Sequence, residues 1–333
     1  MKLYPLHKGD TKVPYGQFYG GVGDEWTGWR GMWRFLTDKS HAIMVPIYAY
    51  LVEHPEHGWV MIDTGINWQQ AHAHRAYYAS WLERSATDED EYRLSPEQQL
   101  PEQLRRLGVE PTEVRTVVLT HLHEDHPGGV RLLPNARFVT NRAEWNAKHL
   151  GLFAWNQSRS IRRILTDPDL VEFSSGRVES FDASHDLFGD GRIVLLPTPG
   201  HSVGHTSVLV RRDGHPILCT GDTLYTLRHL ATDQVRALFL GEKQRQQLDA
   251  IGRIRGLRET LPDLVITPAH DHTDYAQAHL SPALADGRLS AEEHQVFKAY
   301  EQAVLDGQRL RGGKAPRFVP PQAEEAAGSV SFA

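Results

Sequence analysis

The stretch 120–129, which reads T-H-L-H-E-D-H-P-G-G, constrains this chain more than any other part of it. It directly follows a short apolar run that favours a buried strand. Residues two apart on an extended backbone point the same way, so His121 and His123 can converge on one ion where the strand ends. The turn that follows can bring Asp125 and His126 to a second ion close by. Neutral imidazole nitrogens with a carboxylate suit zinc or a similar divalent metal.

The composition limits the class of protein and its partners. At 333 residues the chain has room for one large domain or two ordinary ones, and its 40% hydrophobic and 23% charged residues are typical of soluble globular proteins. No stretch approaches the roughly 18 apolar residues of a membrane helix, and the first ten residues lack the apolar core of a secretory signal. The net charge of −6 disfavours nucleic acid as the main partner. The single cysteine, Cys219, excludes an internal disulfide and fits a reducing compartment, so we predict a cytoplasmic protein.

Apolar runs bounded by turn residues predict two sets of buried strands. The first set is 43–52, 59–62, 116–120 and 137–140, and the second is 193–197, 206–210, 217–220 and 264–267. Helical patterns occupy 96–107, 141–150, 158–165, 244–261 and 290–305. Two strand-rich halves with interspersed helices favour an α/β fold in which two sheets pack on each other with helices outside. We predict one domain over 1–310 and a loose C-terminal tail over 311–333.

Two aromatic-rich segments, 15–35 and 66–95, resemble additions to this plan. The first contains Trp26, Trp29 and Trp33, and the second has a predicted helix over 68–81. Such segments either pack into the core, form a subunit interface as in a homodimer, or wall a binding cleft with apolar surface. The sequence leaves these alternatives open.

Histidines also follow the predicted strand 193–197, in the segment T-P-G-H-S-V-G-H. His201 and His205 compete as ligands there, and His205 either begins the next strand or supports a ligand from behind. Gly200, directly before His201, is expected to let the backbone approach the ion closely.

Two further candidates follow later predicted strands. Asp222 comes after 217–220, and a carboxylate at that place can bridge two cations with its two oxygens, although Gly-Asp by itself is typical of a turn. His270 comes after 264–267, with His272 as a competitor. Every candidate lies just past the C-terminal end of a predicted strand, and loops at one edge of a sheet are where sites are usually assembled.

Four separated motifs together resemble the metallo-β-lactamase-fold hydrolases, in that family's order, over about residues 40–285: H-x-H-x-D-H, P-G-H-S-V-G-H, G-D and P-A-H. The resemblance implies an αβ/βα sandwich of two mixed β-sheets flanked by helices, with the metals at one edge. It also implies which residues bind the metals: His121, His123 and His201 hold one ion, Asp125, His126 and His270 hold the other, and Asp222 bridges both.

A tyrosine narrows the resemblance to one branch. Tyr225 lies three residues after Asp222, a spacing similar to that of the N-acyl homoserine lactonases, which use the tyrosine to contact the substrate carbonyl. The opening M-K-L-Y and the run I-D-T-G at 62–65 are also similar to that branch. Two features depart from it: Glu124 stands where a lactonase commonly has an aromatic residue, and the insertion 68–93 is longer than a minimal lactonase needs.

The resemblance implies a dinuclear metal-dependent hydrolase that opens a lactone ring, with N-acyl homoserine lactones as the expected substrates, through attack by a metal-bridging hydroxide. The expected cofactors are two divalent ions per chain, zinc first, with iron, cobalt or manganese as alternatives. Tyr225 would stabilise the oxyanion and Asp125 would deliver a proton, so no nucleophilic serine or cysteine is required.

Two alternatives accompany this expectation. The first is an organophosphate or aryl-ester hydrolase of the same fold, since the aromatic segments can line a pocket for such small molecules. The second, from another class, is a metal-dependent binding protein without activity. Neither nucleic acid nor a membrane is expected as a partner.

Overall fold

A computed structural model describes residues 1–14, 33, 42–78, 91–147, 163–212, 214–231, 242–272 and 291–311. The strands are β1 (Lys2–Pro14), β2 (Ala42–His54), β3 (Gly58–Ile62), β4 (Glu91–Arg93), β5 (Val114–Val118), β6 (Arg137–Asn141), β7 (Asp169–Val171), β8 (His185–Asp186), β9 (Ile193–Pro197), β10 (Thr206–Val210), β11 (Ile217–Cys219) and β12 (Val265–Thr267). The α-helices are α1 (Trp68–His72), α2 (His74–Tyr77), α3 (Leu100–Arg106), α4 (Arg142–Asn146), α5 (Arg228–Ala231), α6 (Glu242–Thr260) and α7 (Ala291–Arg311). Short 3-10 helices span Pro96–Gln98, Pro111–Glu113, Val130–Leu132 and Gly221–Thr223.

The strands form two sheets. The first has seven strands in the order β4-β1-β2-β3-β5-β6-β7, and the second has five in the order β12-β11-β10-β9-β8. In the first sheet β3, β5, β6 and β7 are parallel, while the pairs among β4, β1, β2 and β3 are antiparallel. In the second sheet β11 and β12 are parallel and the other pairs are antiparallel. Both sheets are therefore mixed, as predicted.

The two sheets share one continuous hydrophobic core. Ile62 of the first sheet, Val208 of the second and Ile254 of α6 are all fully buried in it. A separate cluster packs Leu104 of α3 against Met61, on the other face of the first sheet. Because β3 contributes Met61 and Ile62 to opposite faces, the first sheet is buried on both sides. The predicted sandwich of two sheets with flanking helices is confirmed.

All eight predicted strands are present, with ends that agree to within two residues. Strand β1 is additional, and the pattern of its sequence does not reveal it. Its register against β2 shifts between His7 and Asp10, so the buried positions change from Leu6 and Lys8 to Thr11. A β-bulge of this kind breaks the apolar alternation on which strand prediction depends.

Two predicted helices are interrupted. The helix expected over 96–107 is a 3-10 turn followed by α3, and Gln99 between them has an extended backbone. Pro101 is the reason, since it lacks a backbone N–H and fits only the first turn of a helix. The helix expected over 68–81 is divided at Ala73 into α1 and α2 as far as Tyr77.

Several predictions concern residues outside the described part. These are all of the segment 15–35 except Trp33, residues 79–90 of the second aromatic segment, most of the predicted helix 158–165, and the tail beyond Arg311. Among the described helices, none combines the length and the apolar character that crossing a membrane requires.

Candidate metal centre

The predicted ligands lie at one edge of the sheets, because each follows the C-terminal end of a strand. The segment 119–126 follows β5, His201 follows β9, Asp222 follows β11 and His270 follows β12. Their ligand atoms form two groups, each within 4.8 Å: His121, His123, His201 and Asp222, which we call cluster A, and Asp125, His126 and His270, which we call cluster B.

In cluster A, three imidazole nitrogens face one another. His201 Nε2 lies 3.0 Å from His121 Nε2 and 2.7 Å from His123 Nδ1. Asp222 Oδ2 lies 3.3 Å from His201 Nε2 and 3.7 Å from His121 Nε2. Three nitrogens and one carboxylate oxygen around a common point are a donor set that suits tetrahedral zinc.

In cluster B, two imidazoles and a carboxylate surround a second point. Asp125 Oδ1 lies 3.7 Å from His126 Nε2, and its Oδ2 lies 3.4 Å from His270 Nε2. Asp222 also reaches this cluster, since its Oδ1 lies 3.2 Å from His126 Nε2 and 3.1 Å from His270 Nε2. The two oxygens of Asp222 thus face different clusters, which is the geometry that a carboxylate bridging two cations needs.

Two buried atoms show that the donor set fits cations. Within the described residues, His126 Nε2 and Asp222 Oδ1 are shielded from solvent and have no hydrogen-bond partner. A buried polar atom without a partner costs free energy, and a bound cation would satisfy both atoms. The chain therefore carries a candidate dinuclear metal-binding site.

In cluster A, the surroundings favour a neutral His121 and an ionised Asp222. Burial lowers the pKa of His121 well below its usual value, and the neighbouring His126 lowers it further. Burial acts to raise the pKa of Asp222, but His270, His126 and the other imidazoles outweigh it and hold this pKa well below its usual value. A neutral imidazole and an ionised carboxylate are the forms that bind a metal.

In cluster B, the neighbouring carboxylates favour the protonated, positively charged form of the two imidazoles. Burial acts to lower the pKa of His126, but Asp222, Asp63 and Asp125 outweigh it and raise this pKa well above its usual value. The pKa of His270 is also raised, since the effect of Asp222 and Asp125 exceeds that of burial. The same negative field attracts a metal cation, which competes with protons for these nitrogens.

Asp63, which sequence analysis did not identify as a site residue, orients His126. The Nδ1–H of His126 donates to Asp63 Oδ2 at 2.8 Å, which leaves Nε2 facing cluster B. The backbone N–H and hydroxyl of Thr120 donate to the same carboxylate at 2.9 and 2.8 Å. Asp63 has a φ of 57°, in the left-handed region that aspartate adopts more readily than most residues with a side chain, at the end of β3. This arrangement is typical of a carboxylate that fixes the tautomer of a metal-binding histidine.

His205 supports Asp222 instead of joining a cluster. It is fully buried, and its Nε2 accepts the backbone N–H of Asp222 at 3.0 Å. Its Nδ1 therefore carries the proton, and it lies 2.9 Å from the hydroxyl of Thr198 and 3.0 Å from that of Thr223. Of the competing histidines, the structure brings His201 into cluster A and gives His205 the supporting place.

The second competitor, His272, is exposed and lies in neither cluster, whereas His270 is buried in cluster B. The expectation that Gly200 lets the backbone approach an ion stays a prediction, and the structure shows a separate reason for a glycine there. A Cβ on Gly200 would lie 2.4 Å from the backbone nitrogen of Gln247, and the glycine has a φ of +136°. Glycine is thus required there by the close approach of helix α6.

Tyr225 lies beside cluster A. Its side chain is buried, and its hydroxyl is 2.8 Å from Nδ1 of His201. Since Nε2 of His201 faces the other imidazoles, the neutral ring carries its proton on Nδ1, and the tyrosine oxygen accepts it. The tyrosine is therefore in direct contact with a predicted ligand of cluster A.

The second aromatic segment braces the metal loop from outside. Gln70 Nε2 donates to the carbonyl oxygen of Glu124 at 2.8 Å, and Asn67 Nδ2 donates to that of Gly128 at 2.8 Å. The hydroxyl of Tyr92 donates to the Glu124 carboxylate at 3.0 Å. The loop with Asp125 and His126 is thus held on both sides. The unusual glutamate connects it to the inserted segment.

Comparisons with known proteins agree on one family for this chain. The family described as the metallo-beta-lactamase superfamily matches residues 42–279. An N-acyl homoserine lactonase of Rhizobium johnstonii, AttM, is 35% identical over 190 residues, 56% of this chain and 67% of the relative. A protein of the same name from Azorhizobium caulinodans is 30% identical over 248 residues, 73% of this chain and 88% of the relative.

Solved structures share the fold. An N-acyl homoserine lactone hydrolase with the product N-hexanoyl-L-homoserine at its catalytic metal centre superposes with a TM-score of 0.60 at 22% identity, covering 81% of this chain and 93% of that one. The dizinc quorum-quenching lactonase AidC, in complex with a product, has a TM-score of 0.53 at 17% identity, covering 81% and 87%. The chain belongs to the metallo-beta-lactamase superfamily, and its sequence relatives there include proteins named N-acyl homoserine lactonases.

Proposed function

We propose that the protein is a dinuclear metal-dependent hydrolase that opens the ring of lactones, with N-acyl homoserine lactones as its substrates. The observation that carries the proposal is Asp222, whose two oxygens face clusters A and B separately, in a chain whose relatives are named N-acyl homoserine lactonases. In this proposal the seven cluster residues are the metal ligands, and Tyr225 and Asp125 act on the substrate. Zinc is the proposed metal.

Two divalent ions at this centre would supply a nucleophile, because they lower the pKa of water towards neutrality, and would polarise a carbonyl group. Asp222 holds its negative charge between the clusters, so it would bind both ions and offset part of their positive charge. His126 and His270 are fixed from behind by Asp63 and by the carbonyl oxygen of Pro46, to which His270 Nδ1 donates at 2.8 Å. Rigid ligands of this kind keep the site preorganised.

Tyr225 is placed to act on the lactone carbonyl. Its oxygen lies 2.8 Å from Nδ1 of His201, and in this proposal its O–H donates to a carbonyl oxygen brought to cluster A. Negative charge on that oxygen grows in the transition state, so a fixed donor stabilises the transition state more than the substrate.

Asp125 is the proposed proton carrier. Its side chain is 15% exposed, compared with 5% for Asp222, so it is the acidic ligand on the more open side of the centre. The attacking water gives up a proton as it adds to the carbonyl carbon, and the Asp125 carboxylate can take up that proton and pass it to the leaving alkoxide.

A substrate panel tests the proposal. Purified metal-loaded protein would be assayed with N-acyl homoserine lactones of several chain lengths, aryl esters, phosphotriesters and β-lactams. We expect the highest kcat/KM with the lactones. Activity on phosphotriesters alone would instead establish the organophosphate hydrolase, and bound metal with no hydrolysis in the panel would establish the binding protein.

A further inference from the structure

A buried carboxylate joins the two loops that carry the imidazoles of cluster A. Glu144, in α4, is fully buried, and its Oε1 accepts the backbone N–H of Leu122 at 3.1 Å. Its Oε2 accepts the hydroxyl of Ser202 at 2.7 Å and the backbone N–H of Gly204 at 2.9 Å. One side chain therefore connects the loop after β5 to the loop after β9.

The contacted residues are the immediate neighbours of the ligands. Leu122 stands between His121 and His123, and Ser202 directly follows His201. A shift of either loop would separate nitrogens that now lie 2.7–3.0 Å apart. The Glu144 carboxylate thus holds the backbone next to the three imidazoles, on which their mutual distances depend.

The backbone around Glu144 packs closely against the loop after β9. Asn141 caps α4 by accepting the N–H of Ala143 at 2.8 Å, and its Nδ2 donates to the carbonyl oxygen of Gly204 at 3.0 Å. A Cβ on Gly204 would lie 2.2 Å from the backbone nitrogen of Glu144. The start of the helix and the loop are therefore in direct contact, so Glu144 has little freedom to move away.

Cluster B has different supports. His126 is bound by Asp63 on the first sheet, and His270 by the carbonyl oxygen of Pro46. These supports come from the end of β3 and from β2, whereas Glu144 contacts Leu122, Ser202 and Gly204. Loss of the Glu144 carboxylate would therefore act first on cluster A.

We propose that Glu144 is a positioning residue that sets the metal affinity of cluster A by holding its two loops in register. The proposal rests on the metal-dependent function proposed above. Glu144 does not touch the ligand atoms; it acts through the backbone of their neighbours. A carboxylate only accepts, so its two oxygens suit the three donors that face them. In Glu144→Gln, an NH₂ group would face at least one of those donors and break the connection.

The test is a titration of metal-free protein with Co²⁺, followed by calorimetry and by visible absorption. We expect wild type to bind two ions. In Glu144→Gln, one dissociation constant should rise ten- to a hundredfold, the usual effect of losing a group that supports a ligand, while the other changes less than about threefold. At one equivalent of Co²⁺, the spectrum of Glu144→Gln should match that of His201→Ala, in which only cluster B is intact, and differ from that of His270→Ala.

Glu172→Gln is the matched control, since Glu172 is 69% exposed in its ion pair with Arg142 and the chemical change is identical. Two unchanged dissociation constants in a folded Glu144→Gln protein would overturn the proposal, and so would an equal weakening of both. If Glu144→Gln does not fold, Ser202→Ala is the second variant, since it removes one of the three hydrogen bonds. It should raise the dissociation constant of one ion about three- to tenfold. Unchanged dissociation constants in Ser202→Ala would also overturn the proposal.

The readout separates this inference from the proposed function. A wild-type protein that binds two ions but opens no lactone would reject the function, while the titration would still decide the role of Glu144. A wild-type protein that binds fewer than two ions would reject the dinuclear site and with it the inference.

Discussion

Nδ1 of His126 lies 2.8 Å from Oδ2 of Asp63, a contact between the end of β3 and the metal loop 63 residues further along the chain. Because β3 and β5 are parallel neighbours, with Ile62 opposite Val118, the loops that follow them meet at the same edge. The contact fixes the tautomer of His126 and directs Nε2 to cluster B.

Asp63→Asn should weaken metal binding in cluster B. The amide NH₂ would face the Nδ1–H of His126 or the donors of Thr120, whereas asparagine tolerates the positive φ of this position. We expect the affinity for one of the two ions to fall about ten- to a hundredfold, measured by Zn²⁺ competition with a chromophoric chelator. Asp169→Asn, on a 53% exposed side chain, is the control, and equal affinities in the two variants would contradict the role of Asp63.

Tyr225→Phe should keep both ions and lose turnover. The variant removes one oxyanion donor, so we expect kcat for an N-acyl homoserine lactone to fall about ten- to a hundredfold. Metal analysis should still give two ions per chain, because the tyrosine is not a ligand atom. Tyr4→Phe, in which the ring contact with Trp59 at 6.2 Å is kept, serves as control. Unchanged kinetics would remove the tyrosine from the mechanism.

The positions of the ligands could be predicted from the sequence because each ligand follows an apolar run. The apolar runs before His121, His201 and Asp222 are short and uninterrupted, so the sequence predicts where each strand ends. In the second sheet, β9 and β11 are both antiparallel to β10 between them and β12 is parallel to β11, so the C-terminal ends of β9, β11 and β12 lie at one edge. His201 and His205 could not be separated by their spacing alone, and that choice depended on the resemblance to a family.

The supporting carboxylates could not be found in this way. Asp63 and Glu144 are single acidic residues outside the segments that carry the ligands; the run I-D-T-G marks Asp63 only as part of a family resemblance, and no sequence pattern marks Glu144. Their roles depend on which strands are neighbours and on how α4 meets the loop after β9. Those are properties of the tertiary structure, and local patterns do not contain them.

Asp222→Asn should reduce the metal content to fewer than two ions per chain. Oδ1 faces cluster B and Oδ2 faces cluster A, and asparagine would replace one of these oxygens with an NH₂ group, which cannot bind a cation. The variant also removes the negative charge between two positive ions. Elemental analysis after dialysis against metal-free buffer measures the result, with Asp249→Asn on the exposed face of α6 as control. Full occupancy in Asp222→Asn would argue against a bridging ligand.

Lys8→Met should change how stability depends on pH. Burial lowers the pKa of Lys8 from 10.5 to about 7 in the folded protein. Below pH 7 the lysine is charged in both states, so the cost of burying the charge is fully present. Between pH 7 and 10.5 the unfolded chain keeps the proton that the folded chain has lost, so the free energy of unfolding rises with pH.

We expect the contribution of Lys8 to grow by about 3 kcal/mol from pH 7 to pH 10, and Lys8→Met to remove it. The carbonyl oxygen of Gln98, which accepts from Lys8, keeps a donor in the variant, because Gln103 Nε2 lies 2.9 Å from it. Urea unfolding of wild type and variant at each pH gives the difference, with Lys2→Met, in an exposed ion pair, as control. Parallel stability curves for wild type and Lys8→Met would show that Lys8 keeps its proton throughout this range. If the free energy of unfolding of wild type increases with pH more steeply than that of Lys8→Met only from pH 7 upwards, the titrating group is the buried amine.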